Sequence, residues 1–361
     1  MSQANLPLAP GSAIGILGGG QLGRMLALAA ARLGFDVVVL ERQADSPAGR
    51  TAARLIVADY ADEAALAELA SLTGLVTYEF ENVPAASVAW LAEHGVEVAP
   101  GPRALAVAQD RFEEKSFLNA HGAPTVAFAP ARTPQEAQQA LAAIGVPALM
   151  KTRREGYDGK GQRWVEHAAD AAAAFEALGG VPVIVEAAAE FVRELSVIAA
   201  RGRDGATAVY PLAENHHEGG VLRRSIAPAR VSQALTDQAE RIAARVLAGL
   251  DYVGVIGIEL FEMADGRLLV NEIAPRVHNT GHWTQDGCEV DQFEQHIRAV
   301  AGWPLGPTHA IAHVEMLNLL GEEADAWAKY AAEPETRIHL YGKRLAKPGR
   351  KMGHVNRVRP L

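Results

Sequence analysis

One cysteine, Cys288, is present among 361 residues, which excludes a disulfide framework and any cysteine-based metal cluster. A basic excess is also missing. Lys and Arg number 34 against 43 Asp and Glu, for a formal net charge of −9, and a nucleic-acid partner would need a basic footprint. Long apolar runs are lacking too. The longest, Leu26 to Leu40, is broken by Arg32 and Asp36 and falls short of the ~20 residues of a spanning helix. Met1 to Pro10 carries no basic n-region and no apolar core, so no secretory signal is read. These absences predict a cytoplasmic protein with no nucleic acid and no membrane among its partners.

What is present is ordinary globular material, 49% hydrophobic and 21% charged, long enough for two or three domains. From Ala13 short β-like runs alternate with helical stripes. Leu22, Met25, Leu26, Ala29 and Leu33 recur at helical spacing, and Gly34 is placed as the residue that ends that helix. Strand candidates at Ala13 to Leu17, Phe35 to Leu40, Arg54 to Ala58, Leu75 to Phe80 and Val96 to Ala99 predict a doubly wound parallel sheet. One long helix is expected over Arg103 to His121. Two strands around a polar glycine-rich stretch follow. Glu194 to Val270 then reads as strand-rich, with a helix at Leu235 to Leu250 and a short basic, strand-like tail at the end.

Five stretches carry chemistry. Gly18, Gly20 and Gly23 fit GxGxxG between a strand and a helix. The motif is weak: a dinucleotide, any other phosphate or a structural tight turn would satisfy it. Gly156 to Gln162 (GYDGKGQ) suits a mobile flap that wraps phosphates, or else a solvated hairpin. No Ser or Thr follows Lys160, so it is not a Walker A loop. Lys151, ending an apolar strand, calls for an anionic partner. Val253 to Glu272 reads as two strands joined at Asp265-Gly266, a preferred hairpin turn. Pairing Ala264 with Arg267 sets Glu259 directly opposite Glu272. Like charges so placed destabilise a sheet, unless a hard divalent cation and phosphates compensate; two surface glutamates are the alternative. Arg276, His278, Asn279 and His282 cluster just past that strand, without the partners of a usual zinc site. A basic loop, Lys347 to His354, closes the series.

Together these elements resemble the ATP-grasp ligases, and nearly the whole chain is similar to the N5-carboxyaminoimidazole ribonucleotide synthetase family of purine biosynthesis. GILGGGQLGRML, YEFENVP, the Asp110-Arg111 to Lys115 segment, GYDGKGQ, VIVE, YPLAENHH, VNEIAPRVHNTGHWTQDG and PGRKMGHVN occur in family order. The resemblance implies an α/β and α+β ATP-grasp fold. Its expected parts are a disordered extension (1–12), an N-terminal doubly wound Rossmann-like domain (13–102), a linker helix with a small lid domain (103–190) and a C-terminal mixed-sheet domain (191–361). It implies ATP-dependent carboxylation of 5-aminoimidazole ribonucleotide with bicarbonate, through carboxyphosphate. The open alternatives are another ATP-grasp ligase, such as formate-dependent glycinamide ribonucleotide transformylase, or a non-catalytic nucleotide-binding protein.

The resemblance also assigns residues. ATP falls to Arg111, Lys151, Gly156, Tyr157, Asp158, Gly159, Lys160, Gly161, Gln162, Glu186, Glu194, His217, Asn271 and Glu272. Glu259 and Glu272 are expected to hold Mg2+. The ribonucleotide falls to Gly18, Gly19, Gly20, Gln21, Leu22 and Glu79, with Arg276, His278, Asn279, Arg350 and Lys351. Catalysis is expected of Tyr157, Lys160, Arg276, His278 and Lys351, in a homodimer. Two departures stand out: Ala274 occupies the position two after the second metal carboxylate, where many ATP-grasp enzymes have Asn, and the chain stops at Leu361 where the family often continues.

Overall fold

The computed structural model describes residues 6–156 and 159–361. Strands β1 (Ala13–Leu17), β2 (Asp36–Glu41), β3 (Arg54–Val57), β4 (Leu75–Tyr78) and β5 (Glu97–Val98) form a parallel sheet in the order β3-β2-β1-β4-β5. β1, β2 and β4 are nearly continuous apolar runs because helices cover both faces. The order reverses between β1 and β4, so their carboxyl ends open a crevice suited to a ligand. The helix Gln21–Arg32 starts there. It ends at Gly34, whose φ of +81° few other residues adopt.

The expected helix over 103–121 is instead two, Pro102–Ala108 and Arg111–Ala120. Asp110 breaks the run: its carboxylate caps the second helix at the amides of Phe112 and Glu113. Arg153 holds that carboxylate through two hydrogen bonds of 2.9 and 2.8 Å. The break aims Arg111 at the cavity described below.

Strands β6 (Phe128–Ala131), β7 (Ala148–Thr152), β8 (Gln162–Val165) and β9 (Val183–Ala187) form a small antiparallel sheet ordered β6-β9-β7-β8. Helices Pro134–Ile144 and Ala171–Ala177 pack on it around Leu141, Met150, Phe175 and Val185. The third sheet is larger and antiparallel. It contains β10 (Phe191–Arg201), β11 (Thr207–Val209), β12 (Ala213–Glu218), β13 (Val221–Ala227), β14 (Gly254–Met263), β15 (Leu268–Ala274), β16 (Ala312–Leu320), β17 (Thr336–Leu340) and β18 (Lys351–Pro360). Its order is β15-β14-β10-β12-β13-β16-β18-β17, with β11 beside β10. The tail expected to be short, basic and strand-like is a ten-residue strand paired on both edges. Buried Val355 and His354 explain why it belongs inside the sheet.

Apolar surface carries residues 6–12 and the first sheet's helix onto the domain of the third sheet. Residues 6–12 are not an extension. Leu8 is buried, its N–H bonds Ala301 O at 2.9 Å and its carbonyl accepts the Trp303 indole at 2.7 Å. The helix Gln21–Arg32 likewise packs on the helix Gln292–Ala301, so Met25 and Leu26 share one core cluster with Phe293, Ile297 and Val314. The first and third sheets therefore share a continuous core.

Candidate active site

A cavity of about 470 Å³ opens where the three sheets meet. Gln21, Leu22 and Glu81 enter from the first sheet, Lys151, Gly156, Gly159, Lys160, Gln162 and Glu186 from the small one. Arg111 enters from its helix. Glu194, His217, Glu259, Asn271, Glu272, Arg276, His278, Asn279 and Lys351 complete it from the third.

Glu259 and Glu272 are opposite each other, but not by the expected route. The turn is one residue longer than Asp265-Gly266: the Met263 amide bonds Arg267 O and the Gly266 amide bonds Met263 O, both at 2.9 Å. Phe261 therefore pairs with Leu269, one step out of the predicted register, and a bulge between Leu260 and Glu259 restores it. The two offsets cancel. Burial and the charge of Glu272 raise the Glu259 carboxyl to about 7. Burial opposes the charge of Glu272 as well. There Arg111, 3.0 Å away, and Lys151 win, and hold it below the usual carboxylate range. Asn271, the extra residue of the bulge, reaches Glu259 Oε2 at 3.4 Å. Among the described residues no third His, Cys, Asp or Glu joins the pair in a metal-binding group.

The basic side chains have firm anchors. Arg111 spans Glu272 and the Gly156 carbonyl. Lys151 donates to Glu186 Oε2 at 2.9 Å, and Lys115 approaches the same oxygen at 3.5 Å. Against the cost of burial these two cations keep Glu186 ionised and lower its pKa. Its Oε1 is buried without a partner, as a ligand contact would be. Lys115 was named in the sequence only as part of a segment. Its 2% exposure and its 3.0 Å bond to Asn271 O place it behind both Glu186 and the carboxylate pair. The signal was there in outline: Lys115 follows Arg111 by four residues, one turn along the same helical face. His217 Nδ1 contacts Glu194, and Asn279 has neither end of its amide satisfied.

The glycine loop behaves differently from expectation. The Gly19 amide bonds Glu41 at 2.7 Å, while the Gly20 and Gly23 amides bond Glu79. The buried Glu79 carboxylate thus sits at the helix N-terminus where a phosphate was expected. Gly18, Gly19, Gly20 and Glu79 do not line the cavity; Gln21 and Leu22 do. Glu81, two residues on, takes the cavity position instead. It pairs with Arg276, whose charge overcomes burial and lowers it to about 2. Arg350 is also not brought in, its guanidinium donating to Leu345 O at 3.0 Å. Lys351, the first residue of β18, lines the cavity, whereas Arg350 lies in the loop before the strand. In the flap, Tyr157 and Asp158 lie outside the described residues. Gly161, at φ +68°, closes against Thr152, where a Cβ would come within 2.7 Å of the hydroxyl. His278 stays neutral, because burial and the charges of Arg276 and Lys351 depress its pKa.

Family models match in three consecutive stretches: a ribonucleotide synthetase preATP-grasp domain over 12–109, an ATP-grasp domain over 116–293 and a phosphoribosylaminoimidazole carboxylase C-terminal domain over 315–360. Fold and cavity together define an ATP-grasp ligase. The chain is 50% identical to an N5-carboxyaminoimidazole ribonucleotide synthase of Brucella melitensis over 355 residues, 98% of each chain. It is 48% identical to one of Pseudomonas aeruginosa, over 95% of this chain and 93% of the relative. The chain belongs to the N5-carboxyaminoimidazole ribonucleotide synthase family. Among solved structures, an ADP complex of a synthetase matches with a TM-score of 0.94 at 41% identity, over 97% and 93% of the two chains. A synthase from Aspergillus clavatus, in complex with ADP and 5-aminoimidazole ribonucleotide, matches with a TM-score of 0.91 at 33% identity, over 97% and 94%.

Proposed function

We propose that this cavity carries out ATP-dependent carboxylation of 5-aminoimidazole ribonucleotide with bicarbonate. The observation that supports it most is the Glu259–Glu272 pair, two like charges held face to face beside Arg111, Lys151 and His278 in one cavity. Oxygen donors whose mutual repulsion a cation would relieve fit Mg2+. Glu259 and Glu272 would hold it, with the remaining positions left to phosphate oxygens and water, since Ala274 offers no donor. Bound there, the ion would neutralise triphosphate charge.

The chain's own residues supply the rest by positioning and charge. Arg111, Lys151 and Lys160 face the phosphates, and Glu186, Glu194 and His217 the nucleoside. A bicarbonate oxygen attacks the γ-phosphorus, ADP leaves, and carboxyphosphate collapses to carbon dioxide and phosphate. The exocyclic amine, held near Arg276, His278 and Lys351, forms the new C–N bond and gives up its proton to the phosphate just released. Tyr157 and Lys160 belong to the flap that excludes water from carboxyphosphate, a mixed anhydride that water would destroy. Gln21 and Leu22 take the ribonucleotide at the crevice. A cytoplasmic homodimer completes the reading; family likeness supports it, and light scattering would test the dimer. Among the described residues no helix is long and apolar enough to cross a membrane.

Labelled bicarbonate tests the reading. Incorporation of the label into aminoimidazole ribonucleotide is expected, with no ATP-dependent turnover of glycinamide ribonucleotide supplied with formate. Turnover of the second pair would replace this reading with the transformylase one.

A further inference from the structure

His278 stands in the cavity wall, its Nε2 3.7 Å from Glu259 Oε1. The groups behind the ring decide what that nitrogen can do. His278 caps the short turn Asn279–Gly281, and its Nδ1 accepts the Thr280 backbone N–H at 3.4 Å. A backbone amide can only donate, so Nδ1 bears no proton. The buried Thr280 hydroxyl lies 2.9 Å from the same nitrogen and donates to it as well. The ring proton is then on Nε2, the side that faces the cavity.

A second clamp holds the main chain. Gln292, fully buried at the start of the helix Gln292–Ala301, accepts the His278 N–H at 2.8 Å and donates to the His278 carbonyl at 2.7 Å. Both polar backbone groups of one residue are thereby tied to one side chain. The fit leaves little room. A Cβ on Gly281 would lie 2.6 Å from Gln292 Oε1, and one on Gly257 would lie 2.6 Å from His278 Cβ.

We propose that Thr280 and Gln292 are positioning residues that hold His278 as a one-way donor, its Nε2–H aimed at the reacting oxygens. Hydrogen bonds to atoms that gain charge in a transition state act on the rate more than on ground-state binding. The inference rests on His278 being a residue of the reaction cavity, so a His278→Gln variant is the control.

The full-length protein is compared with Thr280→Val, Thr280→Ser and Gln292→Met in steady-state phosphate release, alongside 15N imidazole spectra of the metal-free enzyme. Thr280→Val and Gln292→Met should each lower kcat by about tenfold or more while the KM for ATP changes less than about twofold. Thr280→Ser should restore the rate. The His278 resonance should report a protonated Nε2 and a bare Nδ1. Wild-type kcat in Thr280→Val, or a protonated Nδ1 in the folded enzyme, overturns the proposal, and the spectrum decides even where Gln292→Met does not fold. Loss of activity in His278→Gln with an unaffected Thr280→Val overturns the positioning role alone, whereas an unaffected His278→Gln removes the cavity role beneath it.

Discussion

Replacing Glu259 by Gln separates the two members of the carboxylate pair, because their surroundings differ. Glu259 is only 18% exposed and is raised to about 7 from an ordinary 4.5. The folded protein therefore binds its proton more tightly than the unfolded chain does. Its contribution is full below the unfolded value, is lost as pH rises from about 4.5 to about 7, and stays lost above that. At ~1.36 kcal/mol per pKa unit the ceiling is roughly 3 kcal/mol, and about 2 is reasonable with partial exposure to the cavity. Glu259→Gln should thus stabilise the metal-free protein at pH 8 by about 2 kcal/mol, a rise in Tm of a few degrees, with almost no effect at pH 5. Glu272→Gln should not do so, since Glu272 is held ionised by Arg111 and Lys151 and its loss strips Arg111 of a partner. With 40% of its side chain open to the cavity, the change in Tm should be small and downward. In both variants magnesium-dependent turnover should fall about a hundredfold, near 3 kcal/mol of lost charge stabilisation. Calorimetry at both pH values without metal, beside turnover across a magnesium titration, reads both effects. A Glu259→Gln protein no more stable at pH 8, or near-normal turnover in either variant, would refute the reasoning.

Other outcomes follow from individual contacts. Lys115→Met removes the cation behind Glu186 and the Asn271 carbonyl; half-saturation for magnesium should rise severalfold in a metal titration, and an unchanged value would show that Lys115 only fills space. His296 is buried, accepts the Val255 N–H at Nδ1 and bonds Thr77 at Nε2, and burial lowers it to about 3 from 6.5. Its contribution is therefore present above 6.5 and drains as pH falls, by roughly 3 kcal/mol near pH 4; urea midpoints followed from pH 7 to 4 should fall less steeply in His296→Asn than in wild type, and parallel curves would count against it. Gly20→Ala would bring a Cβ to 2.5 Å from Glu79 Oε1, so the carboxylate must leave the helix end. The KM for ribonucleotide should then rise more than that for ATP, and equal rises would sever this loop from the acceptor.

Much of this was legible in sequence, for reasons tied to pattern length. β1, β2 and β4 are short apolar runs between glycines and amphipathic stripes, and such signals survive without tertiary context. Glu259 and Glu272 came out opposite each other, yet only because a longer turn and a bulge at Asn271 compensate; neither is encoded in alternation. Asp110 broke a helix that periodicity alone carried through, since the cap depends on Arg153 from a distant strand. That Glu81 lines the cavity while Glu79 does not is illegible in sequence, because both stand near one strand end, and which one turns into the glycine loop depends on amides 56 and 59 residues away. Thr280 lies inside a quoted motif, but its bond to the ring is a matter of rotamer. Gln292, first in an amphipathic helix, carries no local mark of its clamp on His278.

On the proposed reading one cavity joins ATP cleavage to carboxylation. Phosphate release, with ATP, bicarbonate and aminoimidazole ribonucleotide each withheld in turn at saturating magnesium, tests it most directly. Rapid release is expected only when all three are present, with at most slow release when the ribonucleotide alone is withheld. Full-rate release without bicarbonate, or none with the complete set, would contradict the account.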